Sequence, residues 1–208
     1  MVTCQAARSG ARYNPTSAKA KSTAPTEAAP PTNPGRGGAT WNPERMRFHA
    51  QHRFRGQPGA VAQVLSDPSF YLDLDLPDLN RPEVVERGGD DNEVVLRLRY
   101  EFVGDLIPMA RRVLGNQQLS WMQEVRIDLR SPSGALQFGA ERNPKLLHGD
   151  AHFDLVPDGD ETVRQLDGEL VVAIPGIGSM AERRIVPGLL RRLDIEAQAL
   201  NERLGTQG

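Results

Sequence analysis

The sequence predicts an α+β domain in which a curved antiparallel sheet of about seven strands wraps around one long C-terminal helix. Three observations carry this reading. Between Met46 and Ile174, stretches of alternating apolar and polar residues recur, the period of half-buried strands. Most links between them are short and built from Gly, Pro, Asp, Asn and Ser, which favours antiparallel neighbours. The period then changes to a helical one from Ser179 to Leu204. One apolar row per strand means one covered side. A helix that comes last is the natural cover, with room for a ligand beneath it.

The elements follow in order. Met46–Phe54 places Phe48, Ala50, His52 and Phe54 on one face, with Arg47, His49, Gln51 and Arg53 on the other. Pro58 suits the first position of a helix carrying Ala60, Val61, Val64 and Leu65. Asp67-Pro68 ends that helix and caps a second short one with Phe70, Tyr71 and Leu74. Glu83–Arg87 is a short strand, and residues 88–92 supply turn chemistry before Glu93–Val103. That strand turns Val94, Leu96, Leu98, Tyr100 and Phe102 inward. Leu119–Leu129 turns Leu119, Trp121, Gln123, Val125, Ile127 and Leu129 inward, and Ala135–Glu141, Leu147–Pro157 and Thr162–Ile174 complete the sheet. Ile107–Leu114 is a short helix between strands, either a connection packed on the sheet edge, or a lid over a cavity mouth or a membrane-touching patch.

On a helical wheel, Ile185, Leu189, Leu200, Leu193, Val186, Leu204, Ala197 and Leu190 share an arc of about 140°. Burying eight such residues is worth on the order of 10–20 kcal/mol as an upper bound. That exceeds the roughly 3 kcal/mol cost of Pro187, so the helix persists, with a kink or restart expected there. Arg192 and Glu196 are spaced for a surface pair, and Glu196, at the edge of the arc, is expected to bend outward to water rather than into a cavity.

Residues 1–45 hold 28 Ala, Pro, Gly, Ser or Thr and very few large apolar side chains, so disorder is expected, with the folded domain at 46–208. Met46 opens the first strand, and a translation start there would leave the tail out of the native chain. Residues 46–208 carry 19 basic and 25 acidic side chains, which argues against nucleic acid as a partner. No apolar run is long enough to span a bilayer, and no secretory pattern opens the chain. The one cysteine, Cys4, excludes an internal disulfide and suits a reducing cytoplasm.

His148, Asp150, His152 and Asp154 share strand parity. The two histidines would lie roughly 13 Å apart, too far for one zinc ion with bonds of roughly 2.0–2.1 Å. They are read as the solvated face, and no metal or cofactor is expected. No serine sits in a nucleophile elbow, and Pro175-Gly176-Ile177-Gly178-Ser179 lacks both a Walker lysine and a dinucleotide fingerprint. Inward polar groups say more. His52, Tyr100, Gln123 and Arg164 take inward parity; either they bond to one another and to buried water, or they meet a ligand. The small inward residues Ala140, Gly149, Ala151 and Gly168 favour free volume. An acid–base pair is conceivable only for His52 with Glu196.

In element order, and in the segments MRFHAQHRF, PDLNRPEVVE, LRLRYEF, HGDAHFDLVPDGD and AERRIVPGLLRRLDIEAQALNERL, residues 46–204 resemble an actinobacterial family of unknown function within the START-like, helix-grip superfamily, which includes polyketide cyclases. That resemblance implies a hydrophobic cavity between sheet and last helix, for a lipid, sterol, polyketide or quinone. It supplies no catalytic residues. The expected function is binding, with transport a further role, and His52, Tyr100, Trp121, Gln123, Leu189, Leu193 and Glu196 as lining residues. The alternatives are a cyclase- or dehydratase-type enzyme and an interaction module with a filled core.

Overall fold

The structure is a computed structural model that describes residues 45–105, 108–174, 176 and 178–206; the Ala/Pro-rich tail, the expected disorder there and Cys4 lie outside the described residues, as does Ile107. The chain runs β1 (Met46–Arg55), α1 (Pro58–Leu65), α2 (Pro68–Leu72), β2 (Glu83–Gly89), β3 (Glu93–Glu101), α3 (Pro108–Leu114), β4 (Ser120–Asp128), β5 (Ser133–Ala140), β6 (Leu147–Asp158), β7 (Glu161–Val172) and α4 (Gly178–Thr206). The seven strands form one antiparallel sheet in the order β1-β7-β6-β5-β4-β3-β2. Strands β2 to β7 are a meander, joined by short links except between β3 and β4, where α3 intervenes, and β1 returns to pair with β7.

The helices and turns form where local chemistry directs them. Pro58 stands in the first turn of α1. The Asp67 carboxylate caps α2 by accepting the Ser69 amide at 2.9 Å. The β2–β3 turn is tighter than expected, because Gly88 and Gly89 join β2 and only residues 90–92 turn. Gly89 has φ 112°, and a Cβ there would fall 2.0 Å from the Glu93 carbonyl oxygen. The Asp90 carboxylate accepts the Asn92 and Glu93 amides at 2.7 and 3.0 Å and closes the turn.

Helix α4 packs mainly on β1, β7 and α1. It runs through Pro187 without a restart. The proline removes one helical bond, from the Arg183 carbonyl, but both residues are exposed and water can serve that carbonyl. Leu193, Ala197 and Leu200 are buried beneath it. Ile185, placed in the apolar arc, is instead 37 % exposed, because the buried face of this part of the helix lies toward Glu182 and Val186. Glu182 is buried, and its Oε1 accepts the Val172 amide at 2.8 Å, which ties the first turns of α4 to the end of β7. At the other end, Asn201 accepts the Arg55 amide and donates to the Arg53 carbonyl, and Arg203 donates to Asp67 at 2.8 Å.

The small inward residues do not leave the space they promised. Across neighbouring strands Phe48 faces Gly168, Phe153 faces Gly134, and Phe138 faces Gly149. In each pair the ring lies over its glycine, and a Cβ added there would stand 2.4 Å from the ring's Cζ. The glycines are thus occupied by phenylalanine. The outer face is as expected. His148, Asp150, His152 and Asp154 are exposed, and His49 Nδ1 lies 3.0 Å from Asp167 Oδ1. Among the described residues no cluster fit to hold a metal occurs, and no helix is long and apolar enough to cross a membrane.

Candidate functional site

Two polar groups sit between the sheet and α4. The first is a chain built on Arg164, which is 1 % exposed. Its Nη1 donates to Glu196 Oε1 at 2.6 Å, and its Nη2 donates to His52 Nδ1 at 3.1 Å. His52 and Arg164 are register partners on β1 and β7, so the pairing is set by the sheet itself. Arginine has no acceptor, so His52 Nδ1 must offer its lone pair and Nε2 must carry the hydrogen. Nε2 accordingly donates to Asp194 Oδ1 at 3.0 Å, at the surface. The rings of Phe54 and Phe153 lie 5.3 and 5.9 Å from the guanidinium carbon. Burial, and then the Arg164 charge, lower the His52 pKa, with Asp194 opposing. His52 is therefore a neutral, doubly bonded histidine. It has no free nitrogen to act as a base, and Arg164 stands between it and Glu196.

The second group lies around a small cavity of about 20 Å³, lined by Phe48, Gln123, Leu136, Phe138, Ala151, Leu189, Arg192, Leu193 and Glu196. Tyr100 and Trp121, opposite one another on β3 and β4, stack at 5.5 Å with 13° between their planes. The Arg192 guanidinium stands 4.2 Å from the centre of the Tyr100 ring. The Tyr100 hydroxyl, Arg192 Nη2 and Arg164 Nε are buried and find no hydrogen-bond partner among the described residues. Burial raises the Tyr100 pKa, against the pull of Arg192. Tyr71 is raised further by burial, and its hydroxyl is satisfied by the Leu65 carbonyl at 2.9 Å.

Of the lining residues expected from sequence, Gln123, Leu189, Leu193 and Glu196 come together at the cavity. Tyr100 is beside it through Arg192, and Trp121 stacks on Tyr100 from the neighbouring strand. His52 is set back behind Arg164. Glu196 does not bend outward to water; it is buried, because Arg164 draws it in. The expected surface pair of Arg192 with Glu196 does not form, since each faces inward to a different partner. Sequence reasoning missed Arg192 and Glu182, although the wheel held the signal. Arg192 follows Ile185 by seven residues, about 20° away, and Glu182 falls in the middle of the apolar arc. Leu136 and Phe138 were also missed as lining residues.

A larger recess of about 380 Å³ lies at Asn80, Arg81, Glu83, Arg99 and Glu101. It is open to solvent, and its charges serve one another or their neighbours: Arg99 bonds Glu101 at 3.1 Å and Glu141 at 2.9 Å. The enclosed site under α4 is the better candidate.

This sheet, gripping a long terminal helix, has the START-like helix-grip fold. Solved structures share the fold at low identity. A START superfamily protein from Mycobacterium smegmatis matches with a TM-score of 0.51 and 16% identity over 78% of this chain and 99% of that one. The Zhui aromatase/cyclase from Streptomyces sp. R1128 matches at 0.55 and 15%, over 77% and 93%. Norcoclaurine synthase from Thalictrum flavum, in complex with dopamine and hydroxybenzaldehyde, matches at 0.53 and 16%, over 87% and 99%. Within that class the chain belongs to the family described as "Protein of unknown function (DUF2505)", whose model covers residues 49–204. No curated protein matches it in sequence.

Proposed function

We propose that this protein binds a hydrophobic small molecule between its sheet and α4. The observation that carries the proposal is the uneven cover of the sheet. Helix α4 leans on β1 and β7, and leaves Trp121, Leu136 and Phe138 only partly buried on the inner faces of β4 and β5. With partly buried Leu189 and Leu190 on α4, these residues make an apolar trough that opens from the cavity. The fold's relatives named above include an aromatase/cyclase and a norcoclaurine synthase seen with two small aromatic compounds. The cavity of about 20 Å³ admits roughly one water molecule. A ligand pocket usually needs about 300–1,000 Å³. Binding therefore requires the stretch of α4 that carries Leu189, Arg192 and Leu193 to move away from β4 and β5.

The family of ligands is lipids, polyketides or quinones, and the setting is a reducing cytoplasm, consistent with one cysteine. Catalysis gains no support, since His52 has no free nitrogen. The small volume favours a second reading, an interaction module with a filled core. Mass spectrometry of small molecules released when the natively purified protein is denatured separates the two. A stoichiometric apolar compound supports binding. An empty protein that also ignores lipid, sterol and polyketide panels refutes it.

A further inference from the structure

The cavity wall carries a charge that the described residues leave without a counter-ion. Arg192 projects from α4 at the same level as Leu189, Leu193 and Glu196, one turn apart. Among the described residues no carboxylate lies within salt-bridge reach of it. Glu196, the nearest in sequence on that face, is bound to Arg164 instead. Arg192 Nη2 is buried and unpartnered, and so is the hydroxyl of Tyr100, a residue with 0 % exposure on whose ring Arg192 lies. Gln123 adds an amide to the same wall.

One buried guanidinium nitrogen of Arg192 and the buried hydroxyl of the tyrosine beneath it lack acceptors, which is costly in the empty protein. What satisfies both is an anionic oxygen. The space beside them is about 20 Å³, so the anionic group is compact. Glu196 stands on the same wall, so a doubly charged group would meet a like charge. These conditions select a single carboxylate over a phosphate. The trough of Trp121, Leu136 and Phe138 receives the rest of the molecule. We infer that the ligand is an apolar carboxylic acid whose carboxylate is held by Arg192 and the Tyr100 hydroxyl. The inference rests on the binding function proposed above and narrows its ligand class.

The test is calorimetric titration of the full chain with dodecanoic acid and 2-naphthoic acid, each against its methyl ester. The acids should bind at least about tenfold more tightly than the esters. Arg192→Gln should remove that preference, and Tyr100→Phe should remove part of it. Because Arg192 lacks a counter-ion, Arg192→Gln should melt at or above the wild-type temperature without ligand. Esters that bind as well as acids, or an acid preference that survives Arg192→Gln, overturn this inference alone. Failure of every probe to bind overturns the binding function with it. A lowered melting temperature with the acid preference intact assigns Arg192 a structural role and overturns the inference.

Discussion

Replacing Glu196 by alanine should be the most damaging single change in the interior. Arg164 is 1 % exposed, and the Glu196 side chain 7 %, with 2.6 Å between the paired atoms. Losing a hydrogen bond between charged groups costs about 1.5–3 kcal/mol by itself. The guanidinium left behind keeps its charge, and among the described residues its one other polar partner is the neutral His52. Stranding one member of a buried pair brings the total to about 3–5 kcal/mol. Whole domains are stable by only about 5–15 kcal/mol. For a domain of this size the loss corresponds to roughly 6–20 °C in Tm. Urea titration followed by circular dichroism measures it, with an unchanged slope showing that only stability moved. The double variant Arg164→Met with Glu196→Leu removes both charges and should recover most of the loss. The reasoning fails if Glu196→Ala costs less than about 1 kcal/mol, or if the double variant is no more stable than the single one.

Three further outcomes are expected. The folded state lowers the His52 pKa below its ordinary value of 6.5, so the unfolded chain takes up the proton first. Stability should then fall as pH drops from about 7 toward 5, and His52→Gln should flatten that slope in urea titrations across this range. Gly149→Ala puts a Cβ 2.4 Å from Phe138 Cζ and 2.7 Å from the Glu169 carbonyl oxygen, and should cost about 1–3 kcal/mol in thermal melts. Glu182→Ala strands the Val172 amide and should cost about 1–3 kcal/mol and speed hydrogen exchange there; Glu182→Gln, which keeps an acceptor, should recover most of it.

The architecture was legible because strand and helix periods are strong signals and the hairpin turns announce themselves. Residues such as Leu96, Leu98, Ile127 and Leu166 are buried where alternation placed them. The pairing of β1 with β7 was not legible from spacing, since nothing local links them. The site was half legible. Parity put His52, Tyr100, Gln123 and Arg164 inward, and all four are there. Parity says nothing of partners, however. That Arg164 bridges His52 and Glu196 depends on how α4 lies across β1 and β7. Rules of hydrophobicity sent Glu196 and Arg192 to the surface, although the wheel angle kept both near the apolar arc. Glycine was read as space, because a sequence does not show the phenylalanine that stands across the strand.

The place of β1 has a consequence for the order of folding. Arg53 and Glu161, joined across β1 and β7, are 108 positions apart, so the first strand made has no partner until the last strand emerges. The β2–β3 hairpin and the β4 to β7 hairpins can zip locally within short loops, but β1 must wait with Phe48 and Phe54 uncovered. The strand that joins last is then the first one synthesised, and α4 docks on it only after that closure. A chain that stalls before Thr162 presents an orphan apolar strand to its neighbours, and this is the stage at which aggregation competes with folding.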